Sequence, residues 1–192
     1  TCDYVIYEHD HKYLTNRNPA KFKNYIAPAE NIINKSFYEN SKVVFCQSTF
    51  HKDIVENNLK IKNIESLGGN LWSMKDLDFM RKKAVKSKND KCSIMDSSVF
   101  HKNTIGAINY CKKKNIDYEL IKPSDHSSFL NNLSKNDKFI FLPLTPETLS
   151  RIVVEARMMG IKTITNKRIG AISEPWFSLK GEPLVNFMIE KR

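Results

Sequence analysis

The chain of 192 residues is 41% hydrophobic and 10% aromatic, enough to build one large or two small cores and contrary to a disordered or fibrous polymer. Six Gly and seven Pro exclude collagen-like and Pro-rich low-complexity classes, and no apolar run approaches the roughly 20 residues that cross a bilayer. The net charge of +10 is unevenly placed: residues 1–80 carry 10 basic and 10 acidic side chains, so the whole excess lies in residues 81–192.

The chain opens on Thr1-Cys2-Asp3 without an initiator Met, and Asp3, Glu8 and Asp10 are unlike a basic-then-apolar signal peptide, so a piece of a longer protein is expected. Residues 4–7 (Tyr-Val-Ile-Tyr) read as a buried strand that ends in the polar string Glu8-His9-Asp10-His11. Pro28 opens a predicted helix to about Tyr38, with Ile32, Ile33 and Phe37 on one stripe. Val43–Cys46 reads as the second strand, Thr49 to about Asn57 as a helix, and Ile61–Ser66 as the third strand. Leu67-Gly68-Gly69-Asn70 then supplies the glycines of a sharp turn.

The charge-dense stretch Arg81–Lys91 has little apolar periodicity and reads as a linker. Beyond it, strands at Cys92–Met95, Tyr118–Ile121, Phe139–Leu142 and Thr163–Thr165 alternate with helices at about Asn103–Lys114, Ser127–Leu133 and Ser150–Met159. That rhythm predicts a parallel α/β sheet with right-handed crossovers. A terminal helix carrying Leu184, Phe187 and Met188 closes the fold.

Cys2, Cys46, Cys92 and Cys111 form no C-x-x-C pair, which argues against a zinc knuckle or disulfide framework and for a reducing, cytoplasmic setting. Cys46 and Cys111 read as packing residues, as do Met158 and Met159. His9 and His11 have H-x-H spacing, but no metal site is expected there. His51, His101 and His126 read as exposed loop or helix-cap residues. The lysine runs Arg81–Lys91 and Lys112–Lys114 lack the interleaved aromatics of base-stacking modules, so nucleic acid is not an expected partner. Peripheral attraction to an anionic membrane face fits them better.

The most informative segment runs from Leu144 to Gly160, following a strand, opening a helix and closing on a glycine suited to a helix C-terminus. It carries E-x(7)-E, Glu147 to Glu155. On one continuous helix eight residues advance about 12 Å and turn about 80° off a common face, so Glu147 belongs in the loop if both carboxylates serve one ligand. Thr148 or Ser150 is placed to cap the helix, whose free amides and positive dipole end suit a phosphate. A carboxylate one turn inside such a helix suits a ribose diol.

This segment resembles the P-E-x-x-[GS]-R-x-x-x-E-A-x-x-x-G motif of retaining GT-B glycosyltransferases of the glycosyl transferases group 1 type, with Arg151, Ala156 and Gly160 in register. Val44-Phe-Cys-Gln-Ser48 with Phe50-His-Lys, and Leu67-Gly-Gly-Asn70, resemble the family's serine-led helix and the glycine turn before its interdomain linker. The resemblance implies an α/β protein of two Rossmann-like units, parallel sheets flanked by helices: residues 1–80 a shortened acceptor-side unit, 81–91 a basic linker, and 92–192 a nucleotide-sugar-binding unit. It implies transfer of a hexosyl group from a nucleoside-diphosphate sugar to a glycan or lipid-linked acceptor, with retention and without a bound metal or cofactor. A nucleotide or sugar-nucleotide binding module without turnover is the alternative.

Residue by residue, the resemblance makes Glu147 the donor-sugar carboxylate, Glu155 the ribose acceptor, and Thr148, Leu149 and Ser150 the amide cradle. Lys102 becomes the phosphate lysine, Arg151 assists the diphosphate, and His9 is the histidine near the reacting sugar, a role His11 can also claim. The loop Asp96–Asn103 departs from the family by lacking its Arg and the Gly after the Lys.

Overall fold

A computed structural model describes residues 2–191, which divide into two units. The first holds the residues up to Asn70 with Thr145–Leu149 and Arg168–Glu174; the second holds Leu71–Leu144, Ser150–Lys167 and the chain from Pro175.

The first unit is built on a three-stranded parallel sheet, β1 (Ile6–Glu8), β2 (Val44–Cys46) and β3 (Ile64–Ser66), paired in that order. The two-residue side-chain period buries Ile6 and Glu8 and leaves Tyr7 exposed. The predicted helix from Pro28 does not form. Pro28 leads into a short 3-10 turn at Ala29–Asn31, and Asn34 takes a left-handed backbone (φ 58°) that no helix interior accepts, so α1 is confined to Lys35–Glu39. Helix α2 (Thr49–Leu59) is capped by Ser48, whose Oγ accepts from the His51 amide at 3.1 Å. Its buried stripe is His51, Ile54, Val55 and Leu59, which corrects the expectation of an exposed His51. Val55 and Leu59 join Ile6, Tyr13, Leu14, Tyr38, Val44, Cys46, Ile61 and Ile64 in one core.

The second unit begins with α3 (Met74–Ala84), whose N-cap Ser73 accepts from the Asp76 amide at 3.1 Å. The stretch expected as a linker is regular structure at both ends and irregular only over Val85–Lys88: Arg81, Lys82 and Lys83 form the last turn of α3, where cations suit the negative helix end, and Asn89 already opens β4 (Asn89–Met95). Helix α4 (Thr104–Lys114), β5 (Tyr118–Ile121), α5 (His126–Leu133), β6 (Asn136–Phe141), α6 (Arg151–Met158), β7 (Lys162–Thr165) and α7 (Glu182–Glu190) follow.

The four strands are parallel in the order β5-β4-β6-β7. Ile94 and Ile140 pack with Ala107 and Cys111 of α4, whereas Ser93, on the opposite face, donates to the Leu133 carbonyl of α5 at 3.5 Å. Helices therefore flank both faces of an α/β sheet. Among the described residues no helix is long and apolar enough to cross a membrane.

Candidate active site

In the second unit the chain runs from β4 to the edge strand β5 and then crosses to β6 on the other side of β4. The loops leaving the carboxyl ends of β4 and β6 therefore part in opposite directions, the position at which open α/β sheets form a ligand crevice. Lys102 lies on the first of these loops and the E-x(7)-E segment on the second.

The β4 loop is held by Thr104, whose Oγ1 donates to the Met95 carbonyl at 2.8 Å and accepts from the Ser97 amide at 3.1 Å. Asn103 occupies the position after Lys102 in a left-handed backbone (φ 59°, ψ 44°). Asn is the residue besides Gly that visits this region most readily, which accounts physically for the missing glycine. Its Oδ1 accepts from the Gly106 amide at 3.2 Å and its Nδ2 donates to the Leu142 carbonyl at 2.8 Å. The Lys102 ammonium lies 5.5 Å from the centre of the Phe141 ring.

On the β6 loop, Ser150 precedes α6 with φ 70° and ψ 76°, and its carbonyl accepts from the Val153 and Val154 amides at 3.1 and 3.3 Å. Its hydroxyl is buried without a partner, so the expected hydroxyl cap does not form. Ser48 and Ser73 cap from extended backbone, and this left-handed serine makes no such bond. Thr148 does not cap either, because its hydroxyl donates to Gln47 Oε1 at 2.6 Å. At the far end Gly160 has φ 76°, as expected of a helix-terminating glycine.

Glu155 is 1% exposed. Its Oε1 takes Trp72 Nε1 at 2.9 Å, His126 Nε2 at 3.1 Å and Arg151 Nη2 at 3.3 Å, while the Arg151 guanidinium lies 5.5 Å from the Trp72 ring centre. Arg151, Ile152 and Glu155 line a cavity of about 480 Å³ with Met95, Ser124, His126 and Phe129. Its mixture of apolar walls and converging polar groups suits a small polar ligand with a flat apolar part. His126, exposed at the first residue of α5 as expected, also lines this cavity, and neither it nor Trp72 was expected in the site from the sequence. The signal available was chemical: a carboxylate buried on a helix interior requires donors from elsewhere.

Glu147, Thr148 and Leu149 belong to the first unit. Glu147 lies in a loop, as expected, bridged in parallel to Ile169: its amide donates to the Arg168 carbonyl at 2.8 Å, and its carbonyl accepts from the Gly170 amide at 2.9 Å. The Ser48 hydroxyl donates to the Thr148 carbonyl at 2.5 Å, and Glu174 Oε1 accepts from the Thr49 amide at 2.6 Å, fixing the segment to the start of α2. Among the described residues no backbone acceptor takes the amides of Thr148, Leu149 or Ser150.

His9 is exposed just beyond β1, its ring edge-on to Tyr7 at 4.2 Å. The loop that carries it is wrapped on Glu8, whose buried Oε1 accepts from the Asp10 and Lys12 amides at 3.0 and 3.1 Å and whose Oε2 accepts from the Tyr38 hydroxyl. His11 is buried, 4.8 Å from the ring of His51. Desolvation above all, then the charge of His51 on His11 and of His9 on His51, lowers both to about 3. Among the described residues no group of three or more His, Cys, Asp or Glu side chains is placed to hold a metal ion.

The structure therefore brings Arg151 and Glu155 into one cavity with His126, sets Lys102 on the neighbouring loop of the same unit, and assigns His9, Glu147, Thr148 and Leu149 to the other unit.

No protein-family model matches the chain, and no curated protein matches it. Among solved structures it is similar to a glycosyltransferase from Rickettsia africae ESF-5, with 20% identity over 77% of this chain and 50% of that one and a TM-score of 0.49. It is also similar to Anabaena HepE in complex with UDP and glucose, with 14% identity over 98% of this chain, 62% of that one and a TM-score of 0.50. The chain thus spans 50 to 62% of the length of these structures, and the likeness to HepE is one of α/β fold.

Proposed function

We propose that this chain is a GT-B glycosyltransferase, or the donor-binding part of one, that uses a nucleoside-diphosphate sugar. The observation that carries the reading is Glu155: a buried carboxylate one turn into the helix after β6, lining a cavity of about 480 Å³ beside the crevice of a parallel sheet. In this reading Glu155 accepts the ribose hydroxyls, while the amides before α6, Arg151 and Lys102 take the diphosphate. Glu147 and His9 of the first unit meet the sugar. HepE, whose fold the chain shares, was solved with UDP and glucose, which supports a uridine nucleotide as the first donor to try.

The chemistry is electrostatic. As the glycosidic C–O bond breaks, negative charge grows on the departing diphosphate, and Lys102, Arg151 and the positive end of α6 stabilise it without rearrangement. Positive charge grows on the sugar ring, where the Glu147 carboxylate opposes it and His9 orients the hexosyl group. The acceptor hydroxyl attacks the anomeric carbon from the leaving-group side and passes its proton to the departing diphosphate, so the new C–O bond replaces the broken one with the anomeric configuration retained. The acceptor is a glycan or a lipid-linked glycan, and the basic excess of residues 81–192 draws the protein to an anionic cytoplasmic membrane face.

Calorimetry with UDP, GDP and ADP tests the reading. Glu155→Gln should lower affinity for the bound nucleoside diphosphate by about 10- to 100-fold, the loss of charge-assisted hydrogen bonds. Glu147→Gln should leave that affinity nearly unchanged and weaken the intact sugar nucleotide or its turnover. If none of the three nucleotides binds, or Glu147 proves to be the nucleoside ligand, the assignment is wrong. Because the chain spans 62% or less of the matched structures, a second reading is a nucleotide-binding module without turnover. Nucleotide binding with neither donor hydrolysis nor transfer would favour it.

A further inference from the structure

We propose that His126 is a positioning residue for Glu155: together with Trp72 it saturates one carboxylate oxygen, so that the other is reserved for a ligand hydroxyl. The inference rests on the reading of Glu155 as the ribose acceptor and adds the residue that sets how the carboxylate is presented.

A glutamate reaches its ligand through three rotatable bonds, and its terminal torsion is broad, so an unrestrained carboxylate offers either oxygen. Here Oε1 receives donors from Trp72, His126 and Arg151 at 2.9, 3.1 and 3.3 Å. A carboxylate has about two lone-pair sites per oxygen, so these donors use up the capacity of Oε1. Oε2 has no partner among the described residues, and the residue borders the cavity.

The three donors differ in freedom. Trp72 is 3% exposed and immobilised by packing. The side chain of Arg151 is 46% exposed and sits four residues before Glu155 on the same helix, free to swing toward a bound diphosphate. If it does, Trp72 and His126 are left to hold Oε1. His126 is the first residue of α5, and the start of that helix is fixed by Asp125, whose Oδ1 accepts from the Ser128 amide at 3.0 Å. The hydrogen bonds that Ser128 gives Asp125 hold its carboxyl below the ordinary value, so the cap stays charged at neutral pH. His126 thus reaches Glu155 from a rigid element, and its Nε2 donates in both the Nε2-H neutral tautomer and the imidazolium form. Its role is to let Arg151 leave without Glu155 turning.

The test compares UDP with 2′,3′-dideoxy-UDP, which lacks the hydroxyls that Glu155 reads, by calorimetry on the full chain and its variants. His126→Leu should weaken UDP by about tenfold and leave the dideoxy compound unchanged, because a donor to the carboxylate is lost while the cavity wall remains. His126→Gln, which restores an N–H donor, should recover most of that loss, a rescue that a merely space-filling role would not give. Glu155→Gln should abolish the preference for UDP over the dideoxy compound. If His126→Leu weakens both ligands alike, or neither, or if His126→Gln fails to rescue, His126 does not act through Glu155 even though Glu155→Gln loses the preference. If the unaltered protein binds neither compound, the donor-site reading falls and this inference falls with it. Half of the His126 side chain, 49%, is exposed, so its substitution should leave the fold intact, which thermal melts of each variant would check.

Discussion

Gly170 lies so close to Thr148 that a Cβ at Gly170 would stand 2.2 Å from the Thr148 carbonyl oxygen and 2.5 Å from Ser48 Oγ. The two strands of loop that meet there carry Glu147, and the Ser48 hydroxyl that donates to Thr148 also caps α2. Gly170→Ala must therefore push against the Thr148 backbone, while the Ser48 hydroxyl can turn aside only by giving up its bonds to Thr148 and to the His51 amide. The expected cost is about 1 to 3 kcal/mol, the range for overpacking. Thermal melting measures it, and a variant that melts with the parent would show that the loop yields freely. UDP affinity should fall, since the Thr148 and Leu149 amides assigned to the diphosphate move with this loop, and turnover should fall further with the displacement of Glu147.

His11 and His51 make the first unit sensitive to acid. His11 Nδ1 pairs with the Tyr13 hydroxyl at 3.2 Å, His51 Nδ1 accepts from the Gln47 amide at 3.4 Å, and both Nε2 atoms are buried without a partner. Burial, then the neighbouring imidazole, lowers each from 6.5 to about 3. The unfolded chain takes up these protons near 6.5 and the folded chain only near 3, so the stability they contribute is complete above the unfolded value and is lost as the pH falls through this window. Each group then costs on the order of 1 kcal/mol per pH unit. Urea unfolding followed from about pH 7.5 to about pH 5 should show a steep loss, shallower in His51→Asn, which keeps an acceptor near the Nδ1 position but does not titrate. Equal slopes in the two proteins would remove the buried pair as the cause.

The parts of this fold legible in the sequence are those fixed by local pattern. Ser48 before α2, Gly160 after α6 and the β-branched and aromatic runs of β2 and β6 announce themselves through caps and strand composition. His51 was also readable, since His51, Ile54, Val55 and Leu59 form an i, i+3, i+4, i+8 stripe that buries one helix face. Helix α3 was not, because only Leu77 and Met80 are buried and its basic last turn looks like solvated linker. The break at Asn34 is equally silent, for a left-handed asparagine has no distinctive neighbours. Trp72 and His126 escaped for a different reason: they meet Glu155 across 83 and 29 residues of chain, and only the folded sheet edge brings them together.

Asn103 offers the sharpest separation of backbone from side-chain effects near the phosphate lysine. Its left-handed backbone turns the chain directly after Lys102, and its amide joins the start of α4 to the end of the β6 strand through the Gly106 amide and the Leu142 carbonyl. Asn103→Gly keeps the backbone freely accessible and loses both hydrogen bonds, a cost of about 1 kcal/mol. Asn103→Ala loses the same bonds and adds the left-handed penalty of about 1 to 2 kcal/mol, so it should be the less stable of the two. If the turn sets Lys102, Asn103→Ala should also narrow the difference in affinity between UDP and uridine, as Lys102→Met does more fully, because only UDP carries the phosphates that the ammonium meets. Asn103→Gly should narrow it less. An Asn103→Ala protein that is destabilised yet keeps the full UDP preference would separate the turn from the phosphate grip and leave Asn103 as a cap of α4 alone.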